Sequence, residues 1–274
     1  RIKRTRLRCH APLSADRSLI VSAPHIIQQG TLRAPFGQIQ LYAGKTLELD
    51  AGSVTSVSGA GLTVPFGQTQ FGEDWVMPFE SALLSVVNAQ QDRPYNLPLP
   101  EKKVSLDAPS VDFAEGAVID VAGGGDLYAY EFVPGPGGST DILLPSNAAG
   151  AFAVVPTLGS LYAPVDPVIS MQGIQAGDTV YLGGTSGLPA GEYAVLPPRY
   201  ALLSGTFLIT PAAGTAGMTP GQSYTRLDGM PIVAGQRRVA GSNIGDSLWS
   251  GFVVEDGAQV RQRAQYTESY AGTF

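Results

Sequence analysis

The chain has 274 residues, of which 44% are hydrophobic and only 15% are charged, and its formal net charge is −6. Charged residues make up about 25% of a typical soluble domain, so this chain is unusually poor in charged residues. An acidic chain without a basic stripe is a poor partner for nucleic acid. No apolar run reaches the roughly 18 residues of a membrane-spanning helix. The composition thus argues against nucleic-acid binding and against a helical membrane anchor.

The first residues differ in character from everything that follows. Residues 1–18 contain six basic residues: Arg1, Lys3, Arg4, Arg6, Arg8 and Arg17. No apolar run of signal-peptide length follows them. We expect this segment to be disordered or not native to the protein. The chain has one cysteine, Cys9, which excludes an intrachain disulfide within this sequence.

Short alternating runs between residues 39 and 64 predict β-strands. Ile39, Leu41, Leu47, Leu49, Val54 and Val57 face one way, and polar or small residues fill the gaps. Helix formation is disfavoured because Thr, Ser, Val and Gly are weak helix formers. The acidic residue and glycine after Leu49 predict a corner, where the backbone needs non-β dihedral angles.

Two internal similarities indicate stacked, repeated units. The segment 47–54 resembles 104–111, which aligns Leu47 with Val104, and the segment 34–38 resembles 64–68. The two offsets differ, and irregular offsets are typical of a solenoid whose coils carry insertions, each coil burying one face against the next.

The remaining chain predicts further strands separated by glycine and proline. Residues 118–130 form a strand, a glycine turn and an aromatic strand, and 134–138 form a loop. Other predicted strands are 179–182, 192–196 and 206–210, and Asp228-Gly229 and Asp256-Gly257 are turn dipeptides. The best helix candidate is Phe79–Ala89.

These patterns predict a mainly β fold with little helix, organised as a right-handed parallel β-solenoid with irregular β insertions. The predicted regions are a basic start at 1–18, solenoid-like coils at 19–122, a β-rich insertion region with Gly/Pro loops at 123–211, and a further β segment at 212–274.

The residues offer little catalytic chemistry. His10 and His25 are the histidines, and no nucleophile motif, phosphate-binding loop or zinc spacing occurs. We therefore predict no enzyme, no metal site and no cofactor. A glycan-cleaving site would need two carboxylates roughly 5 to 10 Å apart; its candidates are Asp107, Asp112, Glu115 and Asp120.

Exposed aromatic faces can stack on sugars, and this defines the candidate ligand-binding residues. They are Trp75, Tyr128 and Tyr130. Packing of these rings in the core is the alternative interpretation.

Three long segments resemble exoproteins of the filamentous haemagglutinin family, in an uncharacterised C-terminal region of those proteins. They are 34–75 (APFGQIQLYAG…FGEDW), 123–144 (GGGDLYAYEFVPGPGGSTDILL) and 187–210 (GLPAGEYAVLPPRYALLSGTFLIT). The resemblance implies two-partner secretion through an outer-membrane β-barrel transporter, acting on a secretion domain that this sequence lacks. It also implies a secreted, cell-surface location and an adhesive role toward glycans or proteins.

The function expected from residues and resemblance together is a structural or adhesive segment of a bacterial surface protein. Three alternatives remain open at this stage: a polysaccharide-cleaving β-helix enzyme, a membrane-embedded barrel, and a ligand-free cap or folding module of the fibre. Scattered carboxylates disfavour the enzyme, and short strand runs disfavour the membrane barrel.

Overall fold

The computed structural model describes residues 11–13, 15, 18–70, 74–76, 101–136, 138–144, 147–148, 150–164, 173–239, 244–264 and 266–273. The predicted helix Phe79–Ala89 lies outside the described residues, as do Cys9, His10 and most of the basic start.

The described chain is mainly β, as predicted. Its strands are β1 (Ala11–Pro12), β2 (Ser18–Gln28), β3 (Thr31–Arg33), β4 (Gln38–Leu49), β5 (Val54–Ser56), β6 (Thr63–Gln70), β7 (Asp74–Val76), β8 (Lys103–Asp107), β9 (Ser110–Phe113), β10 (Val118–Asp120), β11 (Asp126–Phe132), β12 (Phe152–Val154), β13 (Tyr162–Ala163), β14 (Thr179–Leu182), β15 (Gly191–Ala194), β16 (Phe207–Pro211), β17 (Ser223–Thr225), β18 (Pro231–Arg238), β19 (Ser250–Asp256) and β20 (Tyr266–Thr273). The helices of the described part are a 3-10 helix, Pro198–Leu202, and α1, Gly257–Ala264. Neither of these helices is long enough and apolar enough to cross a membrane.

The chain divides into two compact units. Unit 1 comprises Arg1–Phe66, Asn96–Tyr128 and Ala271–Phe274, and unit 2 comprises Gly67–Tyr95 and Ala129–Tyr270. Strands β20, β11, β6 and β7 form a four-stranded sheet in that order.

Unit 1 contains three segments that pair in parallel and in register. We call them the first rung (residues 18–33), the second rung (38–56) and the third rung (103–120). In one sheet β2 pairs with β4, and β4 pairs with β8 and β9. In the other sheet β3 pairs with β5, and β5 pairs with β10. The second rung therefore lies between the other two in both sheets.

The core of unit 1 is formed by the inward positions of the second rung. Ile39, Leu41 and Leu47 are fully buried and Leu49 is 1% exposed. Their partners on the first rung, such as Leu19 and Val21, pack against the same cluster. The predicted inward-facing set is confirmed at these positions, because alternation places every second side chain of a strand on one face. It is wrong at Val54, which is half-buried while its neighbour Thr55 is fully buried.

The predicted internal alignments are wrong in register. Leu47 pairs with Val111, not Val104, and Val104 pairs with Ile39. The residue that pairs with Leu47 therefore lies further along the chain than the residue that the sequence similarity aligned with it. The second similarity is not structural either, because residues 34–37 form a turn while 64–68 lie within β6.

The corner predicted after Leu49 is confirmed and is repeated on the third rung. Gly52 and Gly116 have φ values of 79° and 87°, in the region that glycine adopts without a steric penalty. The Gly52 N–H donates to the Gly116 carbonyl at 3.1 Å. These two glycines are equivalent positions of neighbouring rungs.

A tight glycine contact fixes the turn between β10 and β11. The Phe36 ring is buried, and it lies where a side chain on Gly59 or Gly125 would have to be. A Cβ on Gly125 would also overlap the Gly59 carbonyl oxygen. The predicted strand, glycine turn and aromatic strand are confirmed as β10, the glycine run and β11.

Unit 2 is built around an antiparallel, nearly closed, barrel-like sheet of order β12-β16-β19-β18-β14-β15. Ala153 and Leu196 exchange two backbone hydrogen bonds of 2.9 and 3.0 Å, which bring β12 next to the segment that follows β15. Alternate side chains fill the interior, and the buried cluster contains Phe152, Val154, Ile174, Val180, Leu182, Leu188, Tyr193, Val195, Phe207, Ile209, Val233, Phe252 and Val254.

Strand predictions in unit 2 agree closely with the structure. The predicted 179–182 is β14, 192–196 corresponds to β15 and 206–210 to β16. Asp228-Gly229 forms the predicted turn, in which the Arg226 N–H donates to the Met230 carbonyl. The turn predicted at Asp256-Gly257 is wrong, since β19 ends at Asp256 and α1 begins at Gly257.

Candidate functional site

A cleft of about 580 Å³ lies in unit 2, and several separate elements line it. Its lining residues are Thr185, Ser186, Phe207, Thr225, Gly229, Pro231, Val254, Asp256 and Gln259. They come from the β14–β15 connection, the β17–β18 hairpin, the start of β16, the end of β19 and the start of α1. The mouths of β-barrels are common ligand sites, so we take this cleft as the candidate site.

The floor of the cleft is apolar and belongs to the barrel interior. Phe207 and Val254 are 6% and 2% exposed. Phe207 pairs with Asp256 across β16 and β19, while Val254 pairs with Ile209. The apolar floor and the acidic rim therefore come from the same end of β19.

One wall is the β14–β15 connection, which carries Thr185 and Ser186. Thr185 and Leu188 exchange backbone hydrogen bonds of 2.8 and 3.3 Å, and this closes the loop into a tight turn. The Thr185 hydroxyl donates to the Ser186 carbonyl at 3.1 Å. Ser186 is exposed at the rim of the cleft.

A second wall is the turn of the β17–β18 hairpin. Thr225 pairs with Pro231, and the turn between them contains Asp228 and Gly229. Gly229 has a φ of 84°, which a glycine tolerates. The Asp228 carboxylate accepts a hydrogen bond from the Met230 N–H at 3.2 Å and forms an ion pair of 2.8 Å with Arg226.

The polar end of the cleft is the beginning of α1. One Asp256 oxygen accepts a hydrogen bond from the Ala258 N–H at 2.7 Å, and the Asp256 N–H donates to the Gln259 side-chain oxygen at 3.3 Å. This reciprocal arrangement is a capping box, which satisfies donors at the helix start. Both side chains therefore have a structural role in addition to lining the cleft.

The α1 helix is held by two arginines of its own last turn. Arg263 donates two hydrogen bonds to Glu255, of 2.9 and 2.7 Å, and the Glu255 side chain is only 8% exposed. Arg261 donates to the Leu202 carbonyl at 2.6 Å, so α1 is tied to the 3-10 helix. These contacts fix the position of the capping box at the cleft.

The chemistry that the cleft offers is hydrogen bonding around an apolar floor. Three hydroxyl groups, one carboxylate and one amide line it. Hydroxyl and amide groups both donate and accept, so the lining suits a ligand with many hydroxyl groups. Among the described lining residues the ionisable group is Asp256, whose carboxylate accepts the Ala258 N–H.

Of the predicted ligand-binding aromatics, Tyr128 and Tyr130 do not line this cleft. Trp75 is part of β7, and its side chain lies outside the described residues. Tyr128 and Tyr130 lie on β11 with 9% and 0% of their surface exposed. The structure thus gives these two tyrosines the packing position that the sequence allowed as the alternative. Their role in ligand binding stays a prediction.

The four carboxylates considered for glycan cleavage all lie on the third rung or its turns. Asp107, Asp112 and Glu115 are exposed. Asp120 accepts hydrogen bonds from the Ala122 N–H at 3.0 Å and the Ser56 hydroxyl at 2.9 Å. These two bonds, together with the positive charge of Arg33, lower the pKa of Asp120 below its ordinary value. The group is thereby held as a carboxylate, which is the opposite of what a general acid requires.

The cleft residues are not recognisable as a group in the sequence. One signal is present, because Asp256 followed by Gln259 fits the capping-box pattern and marks the start of α1. The aromatic pair Tyr181 and Trp249 also has no signature in the sequence; their rings meet edge to face, with centroids 5.6 Å apart. Both residues are half-buried.

Comparisons with known proteins gave no match, whether to family models, to curated proteins or to solved structures.

Proposed function

We propose that this chain is a structural and adhesive segment of a secreted bacterial surface exoprotein of the filamentous haemagglutinin type. In this proposal unit 1 is a short β-solenoid segment, and the cleft of unit 2 is the adhesive contact. The chain acts by binding and not by catalysis. Its partners are an outer-membrane transporter during export and glycans or proteins of another cell afterwards.

The observation that carries the proposal is the in-register parallel stack of unit 1. Three segments of the same chain pair through two separate sheets, and equivalent glycines mark the same corner on two rungs. The described connections within each rung are short turns, whereas most parallel sheets are connected by helices. Stacked strands joined by corners are how solenoids bury a shared core.

The cleft supports the adhesive part of the proposal. A cleft lined by one carboxylate and three hydroxyl groups suits neutral, hydroxyl-rich ligands, of which glycans are the common extracellular class. The apolar floor provides area for the non-polar face of a sugar ring. The hydroxyls of Thr185, Ser186 and Thr225 provide orientation.

The test is binding of the purified full chain to a glycan array and to immobilised extracellular-matrix proteins. Thr225→Arg places a large cation in the cleft, and we expect it to reduce binding at least about tenfold. Ser223→Arg is the matched control, because Ser223 is an exposed position of the same strand that does not line the cleft.

Each outcome decides between the alternatives left open by the sequence. Saturable binding lost in Thr225→Arg but kept in Ser223→Arg supports the adhesive role. A folded chain that binds nothing refutes adhesion and leaves a cap or spacer. Release of reducing sugar from a polysaccharide panel would refute the non-enzymatic role.

A further inference from the structure

Among the described strands, the third rung is the last of the stack, and its outer edge is unpaired. Strands β8 and β9 pair with β4 and β10 pairs with β5; in the described part of the chain nothing pairs with their other sides. Unpaired strand edges present a row of backbone N–H and C=O groups that can accept another strand.

The side chains of this edge are apolar and far more exposed than their partners inside the stack. Leu47 and Leu49 on the second rung are 0% and 1% exposed, whereas Val111 and Phe113, which pair with them, are 39% and 50% exposed. The inward residue of β10 repeats the contrast, since Ile119 is 36% exposed and its partner Thr55 is fully buried. The third rung therefore has the apolar pattern of an internal rung without a neighbour.

The first rung has the complementary pattern at the opposite end of the stack. If the register of the stack were continued, Leu19 and Val21 of another copy would lie over Val104 and Leu106. Ile26 and Leu32 would likewise lie over Val111 and Ile119. In these four columns an inward apolar residue of one edge would meet an inward apolar residue of the other, whereas Phe113 would meet Gln28.

The charges of the two edges also favour contact between the first rung of one copy and the third rung of another. The segment 101–120, which contains the third rung, carries two lysines against five acidic residues: Glu101, Asp107, Asp112, Glu115 and Asp120. The first rung contains no acidic residue and includes Arg33. Within one chain Arg33, Ser56 and Asp120 form a register column, with the arginine at one end of the stack and the aspartate at the other.

We propose that a second copy of this chain docks its first rung on the third rung, in register, so that copies associate head to tail. The contact continues both sheets of unit 1 at the strand spacing of about 4.8 Å. It places Arg33 of the incoming copy beside Asp120. Because the two surfaces differ, the association is heterologous and does not close into a dimer. It is independent of ligand binding in the cleft, so either proposal can fail without the other.

The charge pattern separates this arrangement from a symmetric one. Two third rungs facing each other would bring their acidic residues together, and like charges that face each other across an interface oppose association. Head-to-tail docking instead pairs an acidic edge with a basic one. High salt is therefore expected to weaken the association.

The experiment is sedimentation velocity of the full chain over about a hundredfold range of micromolar concentrations, with charge-reversed variants. Arg33→Asp and Asp120→Arg each place like charges across the contact, and we expect each to raise the apparent dissociation constant about tenfold. Mixing the two variants creates opposite-charge contacts, and so does the double variant; both should restore association.

Two further variants keep the test informative if Asp120→Arg does not fold. Phe113→Lys puts a charge on the open edge and should abolish association. Tyr42→Lys is its control, because Tyr42 is 39% exposed at an outward position of the second rung, which is not part of either docking edge. Circular dichroism must show that each variant is folded.

Three results would overturn the proposal. The first is a wild-type chain that remains monomeric at every concentration. The second is association that is strengthened by charge reversal at Asp120 and unaffected by reversal at Arg33, which indicates a symmetric contact between two third rungs. The third is association that neither the mixture nor the double variant restores, which indicates non-specific aggregation.

Discussion

Because the second rung lies between the other two, we expect two paired leucines of unit 1 to contribute very differently to its free energy of unfolding. Leu41 on β4 and Leu106 on β8 are register partners in the same column. Leu41 is fully buried between two rungs, whereas Leu106 is half-buried on the open edge. Replacing each with alanine removes the same carbons, so the pair isolates the effect of position in the stack.

The expected losses of unfolding free energy follow from how deeply each leucine is buried. The three carbons removed contribute about 2.4 kcal/mol of transfer free energy at roughly 0.8 kcal/mol each. For Leu41→Ala a cavity enclosed by neighbours on both sides adds to this, which gives about 3 to 4 kcal/mol. At the open edge no closed cavity forms and part of the side chain is already in water, so Leu106→Ala should cost about 1 kcal/mol.

The assay is hydrogen exchange of the β4 amides followed by mass spectrometry, which reports the free energy of opening of the unit that carries the substitution. It is run at low protein concentration, where association through the open edge is absent. Equal losses for the two variants would refute the rung order. A loss for Leu41→Ala that stays below the transfer free energy of its three carbons would show that the second rung is not the core.

Three other predictions rest on single contacts. Gly125→Ala forces a Cβ onto a backbone carbonyl at φ 90° and should destabilise unit 1 by about 3 kcal/mol, whereas Gly30→Ala, which meets nothing within 4 Å, should be close to neutral by the same exchange assay. Arg263→Ala leaves a buried glutamate without its two donors and should cost about 2 kcal/mol in urea denaturation, whereas Arg226→Ala breaks an exposed ion pair and should cost less than about 0.5 kcal/mol. Hydrogen bonds from a backbone N–H and a serine hydroxyl lower the pKa of Asp120 in the folded state, so its stabilising contribution is present above about pH 4 and is lost as the pH falls through the lowered pKa. Unfolding midpoints of wild type and Asp120→Asn should therefore converge as the pH is lowered from 5 to 2; a gap that stays constant would contradict this.

Local pattern is enough to predict most strands. The alternation around Ile39, Leu41 and Leu47 identifies the buried face of β4, because a strand with one buried face repeats every two residues. The glycine run before β11 is recognisable because turns need the dihedral angles that glycine allows.

The register in which the rungs pair could not be predicted from the sequence. The segments 47–54 and 104–111 share similar letters, yet Leu47 pairs with Val111. The true match is carried by Gly52 and Gly116, which lie at the same corner and share an unusual backbone angle. Valine and leucine can replace each other at the inward positions of a rung, so the similarity of apolar residues does not identify which residues pair. Glycines that must adopt a positive φ identify equivalent positions of the rungs better.

The candidate site could not be predicted because its residues are distant in the chain. Thr185, Thr225 and Asp256 meet only after the antiparallel sheet of unit 2 curls into its nearly closed form. That curl depends on the Ala153–Leu196 pairing, which leaves no mark in either local sequence. The capping box at Asp256 is readable, but Asp-Gly is more often a hairpin turn, and that commoner role favoured the wrong prediction.

The spacing of the rungs has a kinetic consequence. Leu19 pairs with Ile39, which follows it closely in the chain, whereas Ile39 pairs with the distant Val104. The second loop is roughly three times as long as the first, and closing it costs about 1 kcal/mol more chain entropy. The first two rungs are therefore expected to form the folding nucleus and the third to add later. Pairing of the third rung would then be the last step in the folding of unit 1, and it is also the step that creates the edge on which another copy adds. The rate at which an assembly grows would therefore be limited by the rate at which the third rung forms in each chain.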